Sequence, residues 1–201
     1  MANDIFIFGD SITYGAFDPE KGGWVSRLRS YLDNKDDFNA DVYNLGISGD
    51  TTEDLLKRFD VGINRKKPGM IIFAIGINDS AVYSLEKKEN RVELGKFKEN
   101  IKTLIEKARK FTNNIIFVGL TPVVESETKP DSVDPGMLNG EIEKYDNAVK
   151  EICQAENLKF VDIYGELSKL DYKTFLDEDG LHPNFKGHQW MAEKIIKGLK
   201  F

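Results

Sequence analysis

At 201 residues the chain is long enough to bury a sizeable core without staples and short enough to form one domain, residues 1–201. Its 28 basic and 34 acidic residues leave a net charge of -6, which argues against nucleic acid or an anionic membrane surface as the main partner. The single cysteine, Cys153, excludes an intramolecular disulfide, and with two histidines a metal centre would have to be built almost entirely from carboxylates.

The first element is a strand over residues 4–9. Its run Ile5-Phe6-Ile7-Phe8 is apolar at successive rather than alternate positions, as in a strand covered on both faces. Gly9 permits a tight exit, so Asp10-Ser11 falls in a polar, turn-prone loop at the carboxyl edge of the sheet. Trp24, Leu28, Tyr31 and Leu32 then recur at helical spacing before Asp33-Asn34. A second strand over 40–45 runs into Gly46-Ile47-Ser48-Gly49-Asp50. Thr51-Thr52-Glu53-Asp54 opens a short helix there, with Leu55, Leu56 and Phe59 inward and acids in its first turn.

The third strand, 70–75, is followed by Gly76-Ile77-Asn78-Asp79. A long helix over about 91–110 carries Leu94, Phe97, Ile101, Leu104, Ile105 and Ala108 on one stripe. A fourth strand over 114–120, a helix over about 139–155 that takes in Cys153 as a core thiol, and a fifth strand over 158–163 continue the alternation. The last helix starts near Asn184 with Trp190, Met191, Ile195, Ile196 and Leu199. Strand and helix alternate throughout, which implies right-handed βαβ units and an α/β fold of three α/β/α layers around one parallel sheet. Segments 80–90 and 121–136, the second with three prolines, leave carboxyl ends of strands, where open α/β sheets bind ligands. No apolar run approaches transmembrane length and no leader is visible, so a protein without stable membrane insertion, cytoplasmic in location, is expected.

The chemistry concentrates at the two ends. For a lone Gly-Asp-Ser an N-cap or turn serine is the plain alternative, and the sequence is not the Gly-x-Ser-x-Gly of a nucleophile elbow. Near the C-terminus, however, stands Asp179-Gly180-Leu181-His182-Pro183-Asn184. Pro183 biases His182 away from a helix, and Asn184 is suited to cap the one that follows. His188, inside that last helix, is explained by surface decoration or packing. Ser11, His182 and Asp179 thus supply a nucleophile, a base and an orienting acid. In Asp177-Glu178-Asp179 a turn joining residues i and i+3 favours Asp179 over Asp177. Backbone N–H groups of the 44–52 segment and the amide of Asn78 are the oxyanion donors on offer.

Gly9-Asp10-Ser11, the Gly-bearing block 44–52, Gly76-Ile77-Asn78-Asp79 and Asp179-Gly180-Leu181-His182-Pro183, in this order, resemble the SGNH hydrolases, also called the GDSL esterase/lipase family. The resemblance spans residues 8 to 184. It implies catalytic Ser11, Asp179 and His182, and an oxyanion hole from the Ser11 N–H, the Gly49 N–H and the Asn78 side chain, with Gly46 as a rival to Gly49. It also implies a flavodoxin-like five-stranded sheet ordered 2-1-3-4-5, no cofactor or metal, and a small-molecule ester as substrate. Acetyl or other short-chain esters are expected. A long-chain lysophospholipase or thioesterase, whose acyl channel Val82, Tyr83, Leu85, Val123 and Val124 would line, is the alternative. A non-catalytic small-ligand module and a phosphotransfer receiver using Asp79 are the readings from other classes. Oligomeric state is not legible.

Overall fold

The computed structural model describes residues 4–35, 40–63, 68–83, 89–130 and 135–199. Five strands, β1 (Ile5–Gly9), β2 (Val42–Gly46), β3 (Met70–Ala74), β4 (Ile115–Val118) and β5 (Lys159–Val161), form one all-parallel sheet in the order β2-β1-β3-β4-β5. The order is the one the resemblance implied. The inner strands β1 and β4 are buried at every position and the central β3 at its three middle ones, whereas the edge strands β2 and β5 are only partly covered. Edge position also explains why β5 is shorter than the apolar run 158–163: its Ile163 already caps a short helix.

The register carries an aromatic ladder across the sheet. Phe8 lies beside Phe73, Phe73 beside Phe117, and Phe117 beside Phe160. The Phe8 and Phe73 rings stack at 5.8 Å and those of Phe73 and Phe117 at 5.1 Å. Phe59 closes over this row from α3 (Thr52–Gly62), 4.9 Å from Phe8. Rings in these offset and tilted arrangements contribute about 0.5–1.5 kcal/mol per pair beyond their buried area.

The major helices cover both faces. α2 (Gly23–Asp33) packs against α8 (Phe185–Leu199), while α3, α4 (Leu94–Arg109) and α6 (Asn139–Ala155) pack in a row. α3 begins where Thr51 and Asp54 form a reciprocal capping box. α4 begins at Leu94, the first residue of its apolar stripe and three residues after the expected start near 91, because the Glu93 side chain accepts the Lys96 N–H and acts as its cap. Asn184 does cap α8, its Oδ1 accepting the Gly187 N–H at 3.1 Å. α1 (Ser11–Tyr14), α5 (Glu125–Thr128), α7 (Tyr164–Leu167) and a 3-10 turn (Tyr172–Phe175) were not expected, since four residues are too few to show a period. Tyr31, expected on the inward stripe of α2, is exposed on the rim of a cavity of about 540 Å³ between α2 and α8. Among the described residues no helix is long and apolar enough to cross a membrane.

Asp146 of α6 shows how the core tolerates a carboxyl group. It accepts the Leu120 N–H at 2.8 Å, and burial pushes its pKa up to about 7. A raised native pKa means that the folded protein holds a proton the unfolded chain has lost, so stability falls as pH rises from about 4 to 7. Asp146→Asn keeps an acceptor oxygen and removes this titration. Relative to wild type it should gain on the order of 2 kcal/mol between pH 4.5 and pH 8 in denaturant unfolding. A difference that does not change with pH would show that the native carboxyl is already ionised.

Candidate active site

Ser11 does not sit in a loop. Asp10 is the N-cap of α1, its Oδ1 accepting the Ile12 N–H at 3.0 Å, and Ser11 is the first helical residue. Gly9 is required by close approach: a Cβ there would lie 2.1 Å from Thr13 Oγ1 and 2.3 Å from the Ala74 carbonyl oxygen. The abrupt strand-to-helix junction leaves the serine hydroxyl free of a capping role. Ser11 Oγ instead lies 2.7 Å from Nε2 of His182.

His182 is carried by a loop built as a tight antiparallel turn. Leu176 bridges Pro183, the Asp177 N–H donates to the His182 carbonyl at 2.8 Å, and the Gly180 N–H donates to that of Asp177 at 3.0 Å. At the tip Gly180 adopts a left-handed φ of 67°, and a Cβ would lie 2.8 Å from Glu127 Cβ and 3.0 Å from Val124 Cβ. The Val124 N–H donates to the Gly180 carbonyl, so segment 121–136 buttresses this turn. Segments 80–90 and 121–136, expected as binding walls, also bridge each other at Val82 and Gly136, with Val82 and Val123 fully buried. Leu85 lies outside the described residues.

Asp179 completes the chain of contacts. Its Oδ2 lies 2.5 Å from His182 Nδ1, and its Oδ1 accepts the N–H groups of Leu181 and His182, both at 2.9 Å. Partial burial pushes the Asp179 carboxyl up, but the hydrogen bonds from His182 and the two backbone donors outweigh it and hold its pKa below the ordinary range. Asp177, two residues earlier in the chain, spends its Oδ1 on the Glu178 N–H instead. With Nδ1 protonated toward Asp179, Nε2 is left as the acceptor facing the Ser11 hydroxyl. This is the geometry of a serine activated by a histidine whose tautomer a carboxylate fixes.

The second and third blocks converge on the same edge. The Ile47 N–H and Arg58 both donate to the Gly9 carbonyl at 3.0 Å, and Arg58 Nε pairs with Asp50 at 2.5 Å. Asn78 Nδ2 donates to the Asp50 carbonyl at 3.0 Å, which uses one of its two amide hydrogens. Gly49 is exposed with a φ of 83°. Gly46, its rival, lies in β2 and donates its N–H to Asn44 Oδ1 at 3.0 Å, so that donor is already spent.

Asp79 is fully buried, accepting the Thr52 N–H with both oxygens at 3.0 Å and the Thr52 hydroxyl at 2.5 Å. Burial pushes its pKa up to about 6. A carboxyl so enclosed cannot receive a phosphoryl group, which removes the receiver reading.

Sequence reasoning missed several supports: Arg58, the Asp79–Thr52 contact with Asn100 behind it, and Asp10 as a cap. It also placed His188 loosely, allowing it a place on the surface. That residue is fully buried, its Nε2–H donates to the Ala16 carbonyl at 3.0 Å, and burial lowers its pKa, so it is a neutral structural group. The cavity of about 540 Å³ between α2 and α8 is lined by Arg27, Tyr31, Phe185 and others, and by none of Ser11, Asp179 or His182. Among the described residues no group of three or more His, Cys, Asp or Glu is arranged to hold a metal ion.

Several known proteins are similar to the chain over most of their length. The chain is 28% identical to an acetylxylan esterase of Geobacillus stearothermophilus, over 98% of its own length and 94% of that protein's. It is 27% identical to the GDSL esterase/lipase CPRD49 of Arabidopsis thaliana, over 98% of the chain and 78% of the relative. The crystal structure of a lipase/acylhydrolase from Enterococcus faecalis superposes with a TM-score of 0.83 at 25% identity, covering 100% of this chain and 96% of that one. Residues 7–190 match the GDSL-like Lipase/Acylhydrolase family. The chain therefore belongs to that family, and it is a serine esterase acting on carboxylic esters.

Proposed function

We propose that Ser11 is the nucleophile, His182 the general base and Asp179 the residue that orients and stabilises the imidazole. The observation that carries this reading is the continuous chain from Ser11 Oγ through His182 to Asp179, with contacts of 2.7 and 2.5 Å. Ser11 Oγ attacks the ester carbonyl carbon as its proton passes to His182 Nε2. The carbonyl π pair moves onto oxygen, and the oxyanion is held by the N–H groups of Ser11 and Gly49 and by the Asn78 amide. The Ser11 N–H suits this role because the first residue of a helix has no carbonyl within the helix to donate to. Collapse of the tetrahedral species breaks the bond to the leaving alcohol, which takes the proton from His182. Water then repeats the sequence on the acyl-serine and releases the acid.

The acyl group is small, with acetyl the first choice. Val82 and Val123, two residues that would have lined a channel for a long chain, are taken up in the core, and Val124 packs on Gly180. The likeness to an acetylxylan esterase over nearly the full length agrees with this choice. On nitrophenyl esters the kcat/KM for acetate should exceed that for octanoate by about tenfold or more, because added methylenes find no matching groove. A preference for octanoate would move the assignment to a lysophospholipase or thioesterase.

A further inference from the structure

Phe17 is an anomaly that the triad does not explain. It has a left-handed φ of 63°, a conformation that a bulky aromatic rarely adopts. Its ring is half exposed, so burial is not what holds it there. The residues on both sides are fixed. The Ala16 carbonyl accepts from buried His188 at 3.0 Å; buried Asp18 pairs with Arg27 and accepts the Gly23 N–H at 3.0 Å. The surroundings thus impose the unfavourable φ, and strain held in this way is characteristic of functional positions. What the conformation achieves is a contact: the Phe17 ring stacks on the His182 imidazole, centroids 4.9 Å apart and planes within 23°.

Chemistry gives that position a meaning. The leaving oxygen must collect its proton from His182 Nε2, so the group that bears this oxygen emerges beside the imidazole. The Phe17 ring is an aromatic surface stacked against that imidazole. We propose that Phe17 determines alcohol specificity, its outward surface being the platform on which a ring-shaped leaving alcohol stacks. The substrate class is then an acetate ester of a cyclic alcohol with an apolar C–H face, such as a pyranoside hydroxyl, rather than of a small open-chain alcohol. This inference rests on the acyl-serine reading above.

The test compares kcat/KM for methyl acetate and for a mono-acetylated methyl pyranoside in wild type, Phe17→Gly and Phe17→Tyr. Glycine tolerates the φ of 63°, so Phe17→Gly should fold, and a thermal melt checks it. Phe17→Gly should lose about tenfold more on the pyranoside acetate than on methyl acetate, while Phe17→Tyr stays near wild type on both. Equal losses on the two esters would show that the ring acts only through His182 and would overturn the platform. So would no loss on either, or a wild type that cleaves methyl acetate alone. A wild type that cleaves neither ester and takes no fluorophosphonate label fails at the earlier step, the acyl-serine reading itself.

Discussion

Ser11→Ala should lower turnover of an acetate ester by about 10⁵-fold or more while leaving the fold intact. Both halves of this expectation come from the local structure. The Ser11 side chain makes its contact with His182 and caps nothing, because Asp10 already supplies the α1 cap. Alanine is the best helix former, so α1 loses no propensity by the change. The alcohol nucleophile is removed outright, and only the oxyanion donors and binding remain to act on a water molecule. Far-UV circular dichroism and a melt within a few degrees of wild type should accompany the loss. Unchanged esterase activity would sink the nucleophile assignment.

Asp179→Asn should cost about 10⁴-fold in kcat, with Asp177→Asn within about twofold of wild type. The amide oxygen of asparagine can keep the Leu181 and His182 N–H groups, which leaves its NH₂ facing Nδ1. The imidazole must then carry its proton on Nε2, where it meets Ser11 as a donor and cannot act as a base. Asp177 is bound into the backbone turn through the Glu178 N–H, and its loss leaves the imidazole alone. The lowered pKa of Asp179 adds a stability consequence. Its contribution is fully present above the unfolded carboxylate value and is lost as pH falls through the lower native value. The reverse ranking of the two variants would move the orienting acid to Asp177.

The sheet was legible because burial on both faces writes itself into sequence as uninterrupted apolar runs, clearest in Ile5-Phe6-Ile7-Phe8 and Met70-Ile71-Ile72-Phe73. The strand order was not; it came with the family resemblance. Four-residue helices such as α1 were missed, and with it the fact that Ser11 begins a helix rather than lying in a loop. Ser11, Asp179 and His182 could be singled out as candidates because their types and spacing are unusual. Their supports could not, since they are ordinary residues brought together from far apart: Arg58 reaches back to Gly9, and Val82 meets Gly136. Phe17 left no signal either. Its stacking on His182 joins two ends of the chain, and only the backbone angle and the partly exposed ring give it away.

The activated serine is tested most directly by labelling with a fluorophosphonate, with intact mass and peptide mapping, on wild type and Ser11→Ala. One adduct on Ser11, absent from the variant, is the expected result. No adduct on a folded wild-type protein, or an adduct that persists in Ser11→Ala, would contradict the account, because His182 would then not be poised against Ser11.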